Sequence, residues 1–269
     1  MALENYEAPA LTVIVPCYNE AERLPASLPQ LLAYLEARGE SFEVLVVDDG
    51  STDGTREVAA QVGGARVRVL SYTPNRGKGY AIRYAAARAM GQRVLFSDAD
   101  LSTPIEELER LAAALDAGWD VAIGSRALAE SHLAVPQPWW RERLGRTFNG
   151  VVRCLGVRGY RDTQCGFKLF TRRAARAIFP NLMIDRWTFD VEALVVAEKL
   201  GLRVKEVPVT WINSPQSRVR VLRDAFRTVA DLLRIRVRWL LEDPKRPLPE
   251  PEEARAADVA APAGGYGGQ

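Results

Sequence analysis

The chain has 269 residues, 48% of them hydrophobic, and a net charge of +2. That suffices for one sizeable core, alone or with a subdomain, and the near-neutral balance gives no argument for nucleic acid as a partner. Cys17, Cys154 and Cys165 are widely spaced without a CxxC pattern, and His132 is the single histidine; a disulfide framework, a structural zinc and a Ser-His-Asp triad are therefore set aside, and a reducing compartment is expected. The opening MALENYEAPA lacks the basic and apolar regions of a signal peptide, and no run reaches about 18 apolar residues. A cytoplasmic protein is expected, with any membrane contact peripheral.

Leu11–Val15 is a β-branched run that predicts a buried strand, stopped by Pro16. A loop over Cys17–Glu20 leads to a predicted helix, Arg23–Glu36, with apolar spacing at Leu24, Leu28, Leu31, Leu32 and Leu35. Phe42–Val47 predicts a second strand running into Asp48-Asp49-Gly50-Ser51. A helix over Thr55–Val62 and a strand over Val67–Leu70 follow. Asn75-Arg76-Gly77-Lys78-Gly79 is a basic, glycine-containing loop ahead of a predicted helix, Tyr80–Met90. Val94–Phe96 predicts a fourth strand ending at Asp98-Ala99-Asp100. Pro104 stands at a helix start with Glu106 and Glu107 in its first turn, and that helix is predicted to reach about Ala117. Val121–Ile123 predicts a fifth strand before Gly124-Ser125-Arg126.

Strands and helices alternate with short connections, which reads as a mostly parallel α/β sheet. Ligands in such sheets bind outside the carboxyl ends of the strands. Five polar loops fall there: Tyr18–Glu20, Asp48–Ser51, Asn75–Lys78, Asp98–Asp100 and Ser125-Arg126. Each alone reads equally well as turn chemistry; five at one sheet edge argue for a site. The paired carboxylates Asp98 and Asp100 suit a divalent cation and a phosphate-bearing substrate. No GxGxxG follows the first strand and no GxxxxGK[ST] occurs, and Pro16–Glu20 contains no glycine, which disfavours dinucleotide binding and nucleotidyl transfer.

In the second half, Ala127–Arg143 holds Pro136, Pro138, Trp139 and Trp140 and reads as an exposed segment whose indoles either fill the core or touch lipid. A helix is predicted over Leu144–Leu155 and a strand over Cys165–Phe170, which would bury the stem of Lys168 if both its faces are covered. Helices over Arg172–Phe179 and Phe189–Leu200 and a strand over Val204–Val207 follow. Asp190 and Glu192 fall in a first helical turn, where they either serve the helix dipole or organise a site with Arg186 or Gln164. Across Val219–Leu241, Leu222, Phe226, Val229, Leu233, Val237 and Leu240 recur at helical spacing, and Ser217–Trp239 carries seven arginines against two acids. That helix either packs on the domain or on a second copy in a homodimer, or lies on an anionic bilayer. Beyond Pro244 the composition turns to Pro, Glu, Ala and Gly, and residues 244–269 are expected to be disordered.

VIVPCYNEAERLP (Val13–Pro25), VLVVDDGSTDGT (Val44–Thr55), NRGKGYAIR (Asn75–Arg83), LFSDADLSTP (Leu95–Pro104) and IGSR (Ile123–Arg126) together resemble the GT-A glycosyltransferases of family 2. RDTQCGFKLFTRRAARAIFPNL (Arg161–Leu182), DRWTFDVEAL (Asp185–Leu194) and VKEVPVTW (Val204–Trp211) are similar to the branch that glucosylates dolichyl or polyprenyl phosphate. The resemblance spans about Leu11 to Trp239. It implies a GT-A fold with a nucleotide-sugar half over 11–126 and an acceptor half over 127–211 of the same domain. The N-terminal extension 1–10 and the basic segment 217–241 lie outside these halves. It also implies that Pro16, Tyr18 and Glu20 border the nucleoside, Asp48 holds the base edge, and Lys78 lies near the nucleotide. Asp98 would face ribose and donor sugar, Asp100 would hold Mg²⁺ or Mn²⁺ against the diphosphate, and Arg126 would meet the lipid phosphate. The mannosyl-phosphate relatives carry glutamine two residues after the second aspartate; Ser102 stands there in this chain, which leaves the metal to Asp100, diphosphate oxygens and water.

The reaction so implied is inverting transfer of glucose from UDP-glucose to a polyprenyl phosphate. A lipid phosphate is already an anion and needs no strong base, so catalysis rests on positioning and on charge stabilisation. Arg126 pairs with the acceptor phosphate through its planar fork, with Lys168, Gln164 and Arg186 as further candidates. The alternatives are mannosyl transfer from GDP-mannose, transfer to a sugar hydroxyl with Asp185, Asp190 or Glu192 as base, and a non-catalytic membrane-surface protein on the same fold.

Overall fold

The computed structural model describes residues 8–133, 150, 159–212 and 221–244, with side chains of the last segment from 227 onward. The predicted helix over Leu144–Leu155, the Pro136–Trp140 stretch and the tail beyond residue 244 lie outside the described residues.

Four strands build one side of the sheet: β1 (Leu11–Cys17), β2 (Phe42–Asp49), β3 (Val67–Tyr72) and β4 (Arg93–Ser97). The apolar runs of β1, β2 and β4 are buried on both faces, while β3, at the sheet edge, is only partly covered. Leu45 and Val47 point into one core and Val44 and Val46 into the other, as the two-residue period of a strand requires. β5 (Val121–Ser125), β7 (Phe167–Thr171) and β8 (Val204–Pro208) complete the order β3-β2-β1-β4-β7-β5-β8. All neighbours are parallel except β7, which runs antiparallel to both β4 and β5. The short strands β6 (His132–Leu133) and β9 (Thr210–Trp211) pair apart from the main sheet.

Helices α1 (Leu24–Arg38), α2 (Thr55–Gly63) and α4 (Leu108–Asp116) cover one face. Helices α3 (Lys78–Ala86), α5 (Arg172–Ile178) and α6 (Phe189–Lys199) cover the other, with α7 (Val221–Leu241) packed on α6. The chain steps outward from β1 to β2 and β3, then returns to place β4 on the far side of β1. That reversal opens a crevice at the carboxyl ends of β1 and β4.

Several expected boundaries move, two of them for reasons that packing makes plain. Pro16 does not stop β1; it pairs with Val47 and the strand runs on to Cys17. The β1–β4 ladder has already ended at Ile14 and Phe96, so one edge of β1 is open at Pro16 and a missing N–H costs little there. Helix α3 ends at Ala86, not Met90. Met90 N–H instead donates to Glu43 Oε1 at 2.6 Å and Gly91 N–H to Thr12 Oγ1 at 2.8 Å. A Cβ on Gly91 would stand 2.4 Å from the backbone nitrogen of Thr12, so only glycine lets the chain re-enter the sheet so close to β1.

Candidate active site

The loops after β1 and β2 are laced together. Asn19, at φ 55°, donates its N–H to Ser51 Oγ at 2.8 Å, and its Oδ1 accepts Thr52 N–H at 2.9 Å. Glu20 N–H donates to Thr55 Oγ1 at 2.7 Å, and the Glu20 carboxylate pairs with Arg23 at 2.6 Å. Tyr18 projects from this rim and is exposed, while Pro16 is half-buried beneath it. Asp48 is buried and caps its own turn through Ser51 N–H at 3.0 Å. The neighbouring Asp49, part of the same motif but given no role of its own by the sequence, organises the basic loop. Its carboxylate accepts Arg76 N–H at 2.7 Å, Gly77 N–H at 2.8 Å and Asn75 Nδ2 at 2.8 Å. Burial pushes the Asp49 carboxyl up, and these donors hold it partly back.

That loop delivers Lys78 to Asp98, whose Oδ1 lies 2.5 Å from Lys78 Nζ. Burial opposes the charge on Lys78, but Asp98 and, after it, Asp190 outweigh this and raise its pKa. Trp187 covers the pair, its ring centroid 5.3 Å from Lys78 Nζ, and is 48% exposed. Asp98 itself rests on β7's approach: its N–H donates to Gly166 O at 3.2 Å, and a Cβ on Gly166 would lie 1.9 Å from Asp98 Oδ2. Trp187 and Gly166 were not picked from the sequence; the close approach that selects a glycine is visible only once β7 is placed beside β4.

Asp100 is half-buried, and its Oδ1 accepts Ser102 N–H at 2.9 Å across Leu101, which adopts φ 47°. Asp100 makes no ion pair among the described residues. No group of three His, Cys, Asp or Glu side chains suited to a metal occurs among them either. One oriented carboxylate beside a lysine–aspartate pair fits a hard divalent cation that takes its other ligands from phosphate oxygens and water.

Arg126, after β5, is held by Asp162 through three bonds: its backbone N–H at 3.0 Å, Nε at 2.6 Å and Nη2 at 2.9 Å. Burial alone would raise the Asp162 carboxyl, but the Arg126 guanidinium overrides it and holds the pKa at about 2. Asp98 acts on the charge of Arg126, so the ends of β4 and β5 do converge. Gln164 joins this corner by its backbone, donating to Asp162 Oδ1 at 3.2 Å.

Lys168 is fully buried, as its place on β7 implied. Its Nζ sits 2.5 Å from Asp190 Oδ1 and 2.7 Å from Cys165 O, which removes it from direct contact with a solvent-borne acceptor. The three carboxylates considered as bases also have other partners. Asp185 pairs with Arg83 at 2.5 Å and Arg76 at 3.8 Å. Asp190 is buried with Lys168. Glu192 is buried and accepts Met183 N–H at 2.9 Å, Ile184 N–H at 2.8 Å and Trp239 Nε1 at 3.4 Å. Arg186 is exposed beside Gly77, with no ion pair among the described residues.

A nucleotide-sugar transferase of the GT-A class is what this sheet and crevice define. Residues 12–179 match the family model described as Glycosyl transferase family 2. The chain belongs to that family. It is 41% identical over 257 residues to a dolichyl-phosphate beta-glucosyltransferase of Drosophila melanogaster, covering 89% of this chain and 78% of that protein. With its Homo sapiens counterpart it shares 40% over 245 residues, 86% and 76% of the two chains. Among solved structures, mannosyl-3-phosphoglycerate synthase from Rubrobacter xylanophilus superposes with a TM-score of 0.64 at 22% identity, over 89% of this chain and 79% of that one. Glucosyl-3-phosphoglycerate synthase from Mycobacterium tuberculosis, solved with Mn²⁺, UDP and glucosyl-3-phosphoglycerate, gives 0.63 at 18% over 85% and 80%. These two show the shared fold.

Proposed function

We propose that this family 2 enzyme transfers glucose from UDP-glucose to a polyprenyl phosphate, with inversion, giving a β-linked product. The observation that carries this reading is the division of charge in the crevice. Arg126, though braced by Asp162, keeps its side chain 31% exposed, whereas Asp190 and Glu192 are buried and Asp185 is paired with Arg83 and Arg76. A hydroxyl acceptor would need a base; a phosphate acceptor needs only to be held and aimed. The glucosyltransferase relatives support the same donor and acceptor.

In this reading Pro16, Tyr18 and Glu20 border the nucleoside and Asp48 meets the base edge. Asp98 faces the ribose and sugar, and Lys78 turns toward the diphosphate. Asp100 holds Mg²⁺ or Mn²⁺, which when bound supplies charge stabilisation to the departing diphosphate. Arg126, braced by Asp162, grips the acceptor phosphate with the guanidinium N–H groups that Asp162 leaves over. Gln164 and Arg186 line the same side, and Lys168 acts from beneath it. The halves over 11–126 and 127–211 divide donor from acceptor within one sheet.

Helix α7 brings the enzyme to its lipid. No helix among the described residues is long and apolar enough to cross a membrane. Leu232, Ile235 and Trp239 are buried against the domain, while Val229, Leu233, Val237, Leu240 and Leu241 are exposed. From Val229 to Leu240 the predicted apolar stripe is thus the solvent face, and a second stripe does the packing. Arg234 and Arg238 border the exposed stripe, which suits the interface of an anionic bilayer. Peripheral contact at the cytoplasmic face of a membrane follows, with self-association of the stripe as the competing outcome.

The test supplies the enzyme with Mg²⁺ or Mn²⁺, a short polyprenyl phosphate, and UDP-glucose or GDP-mannose in parallel. Transfer from UDP-glucose is expected. No transfer from either donor overturns the reading; preference for GDP-mannose overturns the sugar assignment alone.

A further inference from the structure

The Lys168–Asp190 pair lies fully inside the protein, where two charges cost more to desolvate than their attraction returns unless further hydrogen bonds complete them. Apolar side chains of similar volume would fill the same space. What the ionic pair adds is a directed bond. Lys168 Nζ donates to Cys165 O at 2.7 Å, across the turn that enters β7. Asp190 holds the ammonium there from the first turn of α6, where the helix dipole favours a carboxylate. Cys165 is gripped a second time by Thr103, whose Oγ1 lies 3.7 Å from its Sγ. The next residue is Gly166. Its carbonyl receives Asp98 N–H and its Cα faces the Asp98 carboxylate with no room for a methyl group. Phe96 spaces the two lysines, its ring centroid 5.2 Å from Lys168 Nζ and 5.7 Å from Lys78 Nζ. The chain of contacts therefore runs from α6 through Lys168 and the Cys165–Gly166 turn to Asp98.

We propose that Lys168 and Asp190 are positioning residues: the buried pair clamps the Cys165–Gly166 turn against Asp98 and so sets the carboxylate that meets the donor. This rests on the assignment of Asp98 to the donor site made above. It gives Lys168 no contact with the acceptor phosphate and Asp190 no role as a base. Burial raises the Asp190 carboxyl against the pull of Lys168 and Lys78.

The test compares Lys168→Met, Asp190→Asn, K168M/D190L and Gly166→Ala with wild type, reading Tm, kcat, both KM values and binding of UDP with Mn²⁺ by calorimetry. The double variant should keep a Tm within a few degrees of wild type and an unchanged acceptor KM, while kcat falls about 10²-fold, as for a misplacement on the order of 1 Å. Gly166→Ala should lose kcat similarly, and UDP binding should weaken about tenfold in both. Asp190→Asn, which leaves the Lys168–Cys165 bond possible, should lose less than Lys168→Met. Wild-type kcat in a folded double variant overturns the proposal. A raised acceptor KM at unchanged kcat overturns it too, since Lys168 would then be an acceptor contact. If the double variant does not fold, Gly166→Ala decides: unchanged kcat and UDP binding sink the coupling. A wild type silent with every acceptor faults the assigned reaction instead, and the UDP-binding comparison still tests the clamp.

Discussion

Asp98 and Asp100 stand two residues apart and have different neighbours. Asp98 is met by an ammonium and a glycine; Asp100 by one backbone N–H and open crevice. Replacing Asp100 by Ala should therefore remove metal-dependent UDP binding and lower transfer by about 10²-fold or more, read by calorimetry with and without Mn²⁺. In the proposed reaction Arg126 would meet the acceptor phosphate as a fork braced by Asp162. Arg126→Lys keeps the charge and loses the fork, so KM for the lipid phosphate should rise about tenfold while KM for the donor holds; the reverse pattern would place Arg126 on the donor side. Asp162, which braces it, has its pKa depressed to about 2. Its contribution is complete above about pH 4, where the unfolded carboxyl is ionised, and is lost as the pH falls toward the folded value. Unfolding free energies of wild type and Asp162→Asn from urea titrations should differ by about 2 kcal/mol at pH 7, keep roughly half of that at pH 3, and draw together only below about pH 2.

Among the elements, α7 carries the clearest consequence. Burying Leu232, Ile235 and Trp239 gives it roughly 1.5–3 kcal/mol per side chain toward docking on α6. The exposed stripe contributes nothing to that contact. Leu233→Glu with Val237→Glu should leave Tm near wild type and abolish flotation with vesicles containing anionic lipid. Loss of a dimer without any change in flotation would assign the stripe to self-association. The periodicity of Leu222 through Leu240 was legible in the sequence. Which of two apolar stripes would pack was not, because Thr228, Leu232, Ile235 and Trp239 also share one helix face and only α6 selects between them.

At the scale of the whole molecule, β7 ties the chain together. It comes from the second half yet lies between β4 and β5 of the first, so the two halves share one sheet and one pair of cores. Thermal unfolding should therefore show a single transition. UDP with Mn²⁺ at a hundredfold excess over Kd should shift all of it, by about 2.7 kcal/mol. Two transitions of which one moves would show that the halves unfold separately.

The alternation of strands and helices and the five polar loops at one sheet edge were legible in the sequence, because strand period and turn chemistry are local properties; the roles of Asp98, Asp100, Lys78 and Arg126 are what the family resemblance implies. The tertiary structure decided which of those charges is available. Lys168, Asp185, Asp190 and Glu192 look like site residues in a linear chain, and packing assigns each an internal partner. Gly166 and Asp162 look like turn residues, and packing sets them against Asp98 and Arg126. A side chain's type is local, but its partner arrives from a strand tens of residues away, and no spacing rule along the chain records that meeting.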